Sequence, residues 1–169
     1  ALTGTYGQLT LNANGSYSYT ANQDAADAVG LNETVSDYFN YTMDDEHDDT
    51  STAVIRIYIF GANDTPVAQN DEGLITEGGT LTVSDGDNAN ESGGTYDSTG
   101  EHTGDVIHTS LAGSKDSDAD TSATLTVSAI RTGQESGSGT SGTVGSSLTG
   151  TYGALTINSN GSYTCLLYT

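Results

Sequence analysis

Leu2-Thr-Gly-Thr-Tyr-Gly-Gln-Leu-Thr-Leu-Asn-Ala-Asn-Gly-Ser-Tyr17 decides the fold, and Leu148 to Tyr163 repeats it almost unchanged. The offset is constant at 148 − 2 = 146 residues with no gap, so the two stretches are copies of one module. Within each copy leucine or isoleucine alternates with polar residues: Leu9 and Leu11 in the first, Leu155 and Ile157 in the second. Period two is the mark of a half-buried strand. Asn14-Gly15 and Asn160-Gly161 follow, each predicting a tight primed turn into a second strand that carries Tyr17 and Tyr19, or Tyr163. Cys165 stands where the first copy has Tyr19, and no second cysteine exists to pair with it.

Working outward, Val35, Phe39, Tyr41 and Met43 share one face of a run whose opposite face holds Tyr38, Asn40 and Thr42. After an acidic turn, Ala53, Ile55, Ile57 and Ile59 alternate with Val54, Arg56, Tyr58 and Phe60, which predicts an antiparallel partner. Gln23–Val29 has the composition of one helical turn. The only proline, Pro66, ends this pattern in Gly61-Ala-Asn-Asp-Thr-Pro66. A boundary there divides the chain into 1–65, the later strands of one module, and 66–169, the earlier strands of the next. The alternative is a permuted sandwich over 1–146 with 147–169 redundant. Past the boundary, Leu74–Ile75 and Leu81–Val83 read as short strands, 85–103 as a polar insertion, and Ala123, Leu125, Val127 and Ala129 as a further inward face. Thr132–Ser146 reads as a Gly/Ser/Thr-rich loop. Strands separated by polar turns, without amphipathic helices, predict an all-β sandwich with long polar loops.

Charge narrows the function. Twenty-three acids face only Arg56, Lys115 and Arg131, giving a formal charge of −20. That field repels nucleic acid and anionic membranes, and it opposes compaction unless cations neutralise it. No apolar stretch is long enough to insert in a bilayer as a helix. His47, His102 and His108 are scattered, and no nucleophile–base set or buried acid pair stands out, so no catalytic residue is assigned. Three acidic clusters remain: Asp116-Ser-Asp118-Ala-Asp120; Asp44-Asp45-Glu46-His47-Asp48-Asp49; and Asn63-Asp64 with Asp71, Glu72 and Glu77 beyond it. Alternate carboxylates on a loop suit calcium, which accepts six to eight oxygens in loose geometry. Each cluster also reads as a solvated polar loop. In a sandwich of immunoglobulin-like connectivity, linker, D-x-D-x-D loop and acidic hairpin gather at one inter-module junction. There their mutual repulsion favours bound Ca2+.

The stretch Leu2–Asp27, with Phe39-Asn-Tyr-Thr42, Ile55–Gly61, Ala62-Asn-Asp-Thr-Pro-Val-Ala68 and Asp116–Val127, resembles the VCBS-type repeat of bacterial RTX adhesins and related cadherin-like proteins. The resemblance implies an immunoglobulin/cadherin-like sandwich and a large secreted or cell-surface adhesin exported by a type I system. It also implies calcium at Asn63, Asp64, Asp116, Asp118 and Asp120. Asp44, Asp45, Asp48, Asp49, Glu72 and Glu77 complete the candidate metal set. The expected role is to extend or present a distal binding domain, with neighbouring repeats as partners. The alternative is a carbohydrate-binding module that stacks surface glycans on exposed Tyr38, Tyr58 or Tyr96.

Overall fold

The computed structural model describes residues 1–86, 101–102, 104–108 and 115–169. Tyr96 and most of the polar insertion lie outside them. The described chain is all-β apart from one helical turn, and its strands pair antiparallel throughout. Contacts divide it into two units: Ala1–Thr65 with Asp118–Ala123, and Pro66–Ser117 with Thr124–Thr169.

In unit 1, β1 (Leu2–Thr3), β2 (Gly7–Leu11) and β3 (Tyr17–Ala21) form a three-stranded sheet, followed by α1 (Asp24–Asp27). β4 (Thr34–Asp44) and β5 (Thr50–Phe60) form a separate hairpin of eleven residue pairs, from Thr34↔Phe60 to Asp44↔Thr50. The period-two reading of this hairpin holds. Phe39 and Ile59 are buried, Ile55 and Ile57 half-buried, and Tyr38, Val54, Tyr58 and Phe60 exposed. Met43 and Ala53, expected inward, are exposed; they pair with Ser51 and Tyr41 in the outer half of the ladder, toward the hairpin tip, where an open groove runs beside Met43. The core residues of this unit are Leu9, Val29, Phe39 and Ile59, with Tyr19 edge-on to Phe39 at 6.2 Å between ring centroids.

Asp37 lies between Val35 and Phe39 on the buried face and is 3 % exposed. Its Oδ1 accepts the Thr5 N–H (2.9 Å); its Oδ2 accepts those of Tyr6 (3.1 Å) and Gly7 (3.2 Å) and the Tyr19 hydroxyl (2.7 Å). This explains the opening motif. Gly4 N–H closes a turn on the Gly7 carbonyl (2.7 Å), which turns three successive N–H groups toward one carboxylate. A methyl at Gly4 would collide with that carboxylate. Burial alone would raise the Asp37 carboxyl, but the Tyr19 hydroxyl and the three N–H groups outweigh it and hold it below its ordinary value. A depressed folded-state pKa contributes stability above the unfolded value of about 3.9, and that contribution is lost as pH falls through the folded value. Acid melts of the parent should therefore show a destabilisation below about pH 4 that Asp37→Asn lacks. Parallel acid profiles for the two would contradict it.

In unit 2, β6 (Gly73–Leu74) pairs with β8 (Glu101–His102), and β9 (Ile130–Arg131) with β10 (Ser141–Gly142). The main sheet runs β11-β12-β13-β7, from Leu148–Thr149, Gly153–Ile157, Tyr163–Leu167 and Thr80–Val83. Leu81, Val83 and Tyr163 form its core, flanked by Ile75, Val106, Leu155, Ile157 and Cys165. Burial pushes the Cys165 thiol up, which suits a packing role over a reactive one.

Three local readings are corrected. Ala123–Ala129 forms no ladder among the described residues: Leu125 and Val127 are half-buried, and Val127 N–H bonds the Ser159 carbonyl (2.9 Å), but no described strand pairs along the run. Within the 132–146 segment, residues 132–140 are closed as a hairpin loop by β9 and β10, the turn held by the Arg131 guanidinium on the carbonyls of Thr132, Gln134 and Glu135. The Asn-Gly turns are not primed, because only Gly15 (φ 85) and Gly161 (φ 92) have positive φ. Gly15 N–H bonds Asn12 O, and Asn12 N–H bonds Ser16 O, which is a type I turn followed by a left-handed glycine. Asn14 Oδ1 accepts the Ser16 N–H and hydroxyl, and Asn160 accepts the same pair from Ser162. The two copies thus share side-chain bonding as well as sequence.

Candidate metal centre

The D-x-D-x-D run is split between the units. Asp116, in unit 2, accepts the Gln69 N–H (2.7 Å) beside the Val67↔Ser117 bridge. Asp118 and Asp120, in unit 1, join the start of the linker. Asp118 Oδ1 accepts the Asp120 N–H (2.9 Å), and Asp120 Oδ2 accepts the Asp64 N–H (3.1 Å) across 56 residues of sequence. Asn63 Nδ2 donates to the Asp64 carbonyl (2.5 Å).

The local backbone packs closely around Asp120. Thr121 donates N–H and hydroxyl to the Ala28 carbonyl, Glu33 Oε2 accepts the Gly30 N–H (3.2 Å), and the Glu33 carbonyl accepts the Gly61 N–H (3.1 Å). A methyl at Gly61 would strike the carbonyls of Val29 and Gly30, so only glycine lets the end of β5 pass there. Asp120 is 7 % exposed, and its Oδ1 is buried with no hydrogen-bond partner. A buried carboxylate oxygen without a donor costs kcal/mol amounts. Hard cations satisfy such an oxygen; Asp118 and Asp64 are hydrogen-bonded to Asp120, but the carboxylate oxygens of Asp64, Asp118 and Asp120 do not all lie within 4.8 Å of one another.

The other candidate residues do not join it. The Asp44–Asp49 turn caps the opposite end of the β4–β5 ladder from Phe60, about 30 Å away at 3.3 Å per residue. No single ion could take ligands from both ends. There Asp45 Oδ1 accepts the N–H of His47 and Asp49, Asp48 takes a left-handed φ of 63, and Asp44, Asp45, Asp48 and Asp49 are all exposed. The turn orders itself as an Asx loop. Glu72 and Glu77 are exposed in unit 2, Glu77 within the turn closed by Gly79 N–H on the Thr76 carbonyl. Glu72 and half-buried Asp71 line an apolar groove of about 290 Å³ over Leu81, Leu155 and Tyr163, without forming a buried acid pair.

Among the described residues, one group brings three ligating atoms within 4.8 Å: Asp85, Asp105 and His108. No periodicity announced it; the D-x-x-H spacing of Asp105 and His108 is its only sequence trace. Asp105 is fully buried and accepts the N–H groups of Gly86, Ile107 and His108, while His108 Nδ1 lies 3.1 Å from its Oδ2. It holds its loops as Asp37 holds the turn of unit 1. On the outer face of the hairpin, Arg56 lies 4.2 Å from the Tyr58 ring centroid and 5.2 Å from that of Tyr38. The guanidinium covers aromatic surface on which a sugar would stack.

Residues 1–58 match the family model of the bacterial Ig domain. No curated protein and no solved structure matches the chain. The bacterial Ig match takes in β1 to β4 and all but the last two residues of β5, and so includes both Asp37 and the Gly4–Gly7 turn it holds. Asn63, Asp64, Asp118 and Asp120 lie beyond it.

Proposed function

We propose that this chain is a calcium-stiffened structural repeat of a large secreted or cell-surface bacterial adhesin of the RTX type, extending or presenting a distal binding domain. Support comes from the bacterial Ig match, a domain type often found in surface and extracellular proteins, and from the near-identical, gap-free duplication at an offset of 146 residues. Repeated modules act through length and stiffness. The single observation that carries the calcium reading is the buried, unpartnered Oδ1 of Asp120. A cation there ties the linker at Asn63–Asp64 to the 118–123 segment and relieves part of the repulsion within a chain of charge −20. No helix among the described residues is long and apolar enough to cross a membrane.

An ion that binds only the folded state stabilises by about 2.7 kcal/mol at a hundredfold excess over Kd. The melting temperature of the full chain should therefore rise by several degrees in millimolar calcium and fall back with EGTA. Equal melts in calcium and EGTA would remove the stiffening role.

A further inference from the structure

The outer face of the β4–β5 hairpin is made by its even-numbered residues, which point away from buried Asp37, Phe39 and Ile59. A strand added at either edge would widen this face without covering it, because strands pair within the sheet while side chains stand off it. The ladder residues on this face are uncharged except for Arg56 and, at the tip, Asp44. Asp44 lies six residues along β4 from Tyr38, the cross-strand partner of Arg56, about 20 Å away at 3.3 Å per residue. That exceeds the screening length of about 8 Å in physiological salt. Asp37, next to Tyr38 in sequence, is turned to the opposite face and held by four donors. In a chain of 23 acids, Arg56 therefore makes a locally positive spot.

The two arginines are used differently. The Arg131 guanidinium is taken up by the carbonyls of Thr132, Gln134 and Glu135. Arg56 donates its Nε–H to Ser36 Oγ (3.1 Å) and rests 4.2 Å from the Tyr58 ring centroid and 5.2 Å from that of Tyr38. Among the described residues nothing accepts from its two Nη groups. One hydrogen bond and two rings thus fix the guanidinium and leave its fork open on an exposed face.

We propose that this face binds an acidic polysaccharide, one whose sugar rings carry carboxylates, through a bidentate contact between a carboxylate and the Arg56 Nη groups. Such a pair is planar and charge-assisted, and roughly twice as strong as a neutral hydrogen bond. Stacking on Tyr38 and Tyr58 pre-organises the fork, so little freedom is lost on binding. The guanidinium also occupies the ring surface that a neutral sugar would use, which favours a charged ligand. Phe60 is 75 % exposed, on the same face of β5 and four residues on, about 13 Å at 3.3 Å per residue. It offers a platform for the apolar face of a sugar further along the polymer. Asp or Glu side chains of a protein would fill the fork but bring no ring to Phe60. This inference adds direct adhesion to the extending role and is independent of calcium.

To test it, galacturonate oligomers are titrated into the full chain in EGTA, so that calcium cannot bridge ligand and protein. The parent should bind them saturably. Fully methyl-esterified oligomers, with the same rings but no charge, should bind at least about tenfold more weakly. Arg56→Lys keeps the charge but loses the fork, and should also weaken binding at least about tenfold. Phe60→Ala should weaken it too, whereas Lys115→Gln, which removes a charge elsewhere, should not. These side chains are exposed, and thermal melts check that each variant stays folded. No binding by the parent, equal binding of the ester, or an Arg56→Lys variant equal to the parent would overturn the proposal. So would tighter binding of a glutamate oligomer of the same charge, which would make an acidic protein the occupant.

Discussion

Asp37→Ala is expected to destabilise unit 1 by about 3 kcal/mol, enough to remove a large fraction of the stability of a small domain. Four donors meet at this carboxylate: three backbone N–H groups and the Tyr19 hydroxyl. Truncation leaves the Gly7 N–H buried without an acceptor, at about 1–3 kcal/mol, and the partly buried Thr5 and Tyr6 groups recover only what water can reach. The loss spreads because the same side chain joins two sheets, holding the β1–β2 turn to the middle of β4. Denaturant unfolding followed through β4–β5 amides measures it, and a change below about 1 kcal/mol would contradict the account. Asp37→Asn should fall between, since an amide oxygen still accepts while its NH2 opposes the N–H groups it faces. Tyr19 responds at the other end of the scale: burial, then the Asp37 hydrogen bond and charge, hold its hydroxyl above the ordinary value. Its neutral form is favoured on folding, so that stability persists below about pH 10 and is lost as pH rises further.

Leu81→Ala is expected to cost unit 2 about 3 kcal/mol. Leu81 is 2 % exposed, sits opposite Cys165 on the β13–β7 ladder, and packs with Val83 and Tyr163 in a core that holds few other buried side chains. A cavity there has little around it that can close without moving β7. Amide exchange in β7, β12 and β13 should accelerate together, while β2 and β4 keep their protection. Uniform acceleration along the chain, or none, would show that the small core of unit 2 does not set its stability.

The strands were legible where alternation coincided with a turn signal. Gln8–Tyr17 and Thr50–Phe60 are paired as their patterns require, because one apolar face per strand leaves a single register that buries it. Ala123–Ala129 shows the limit of that logic, for alternation specifies a face but not a partner. The Asn-Gly turns were placed correctly and typed wrongly, since Ser16 and Ser162 hydroxyls bind the asparagine side chains and favour a longer loop. Asp37 was hidden among apolar neighbours, and its acceptors' worth depends on a turn thirty residues upstream. The acidic clusters were legible as clusters only. That Asp120 would bond Asp64, that Asp116 would leave it for Gln69, and that the Asp44–Asp49 turn would lie at the far end of the hairpin all follow from contacts across long sequence separations. No spacing rule contains them.

Isothermal titration of calcium into the EGTA-stripped, dialysed full chain tests most directly the proposal that the buried carboxylate of Asp120 binds calcium. Saturable binding is expected that loses one site in Asp120→Asn and keeps it in Asp45→Asn, at the far end of the hairpin. Binding indifferent to Asp120→Asn, or no binding by the parent chain, would contradict it.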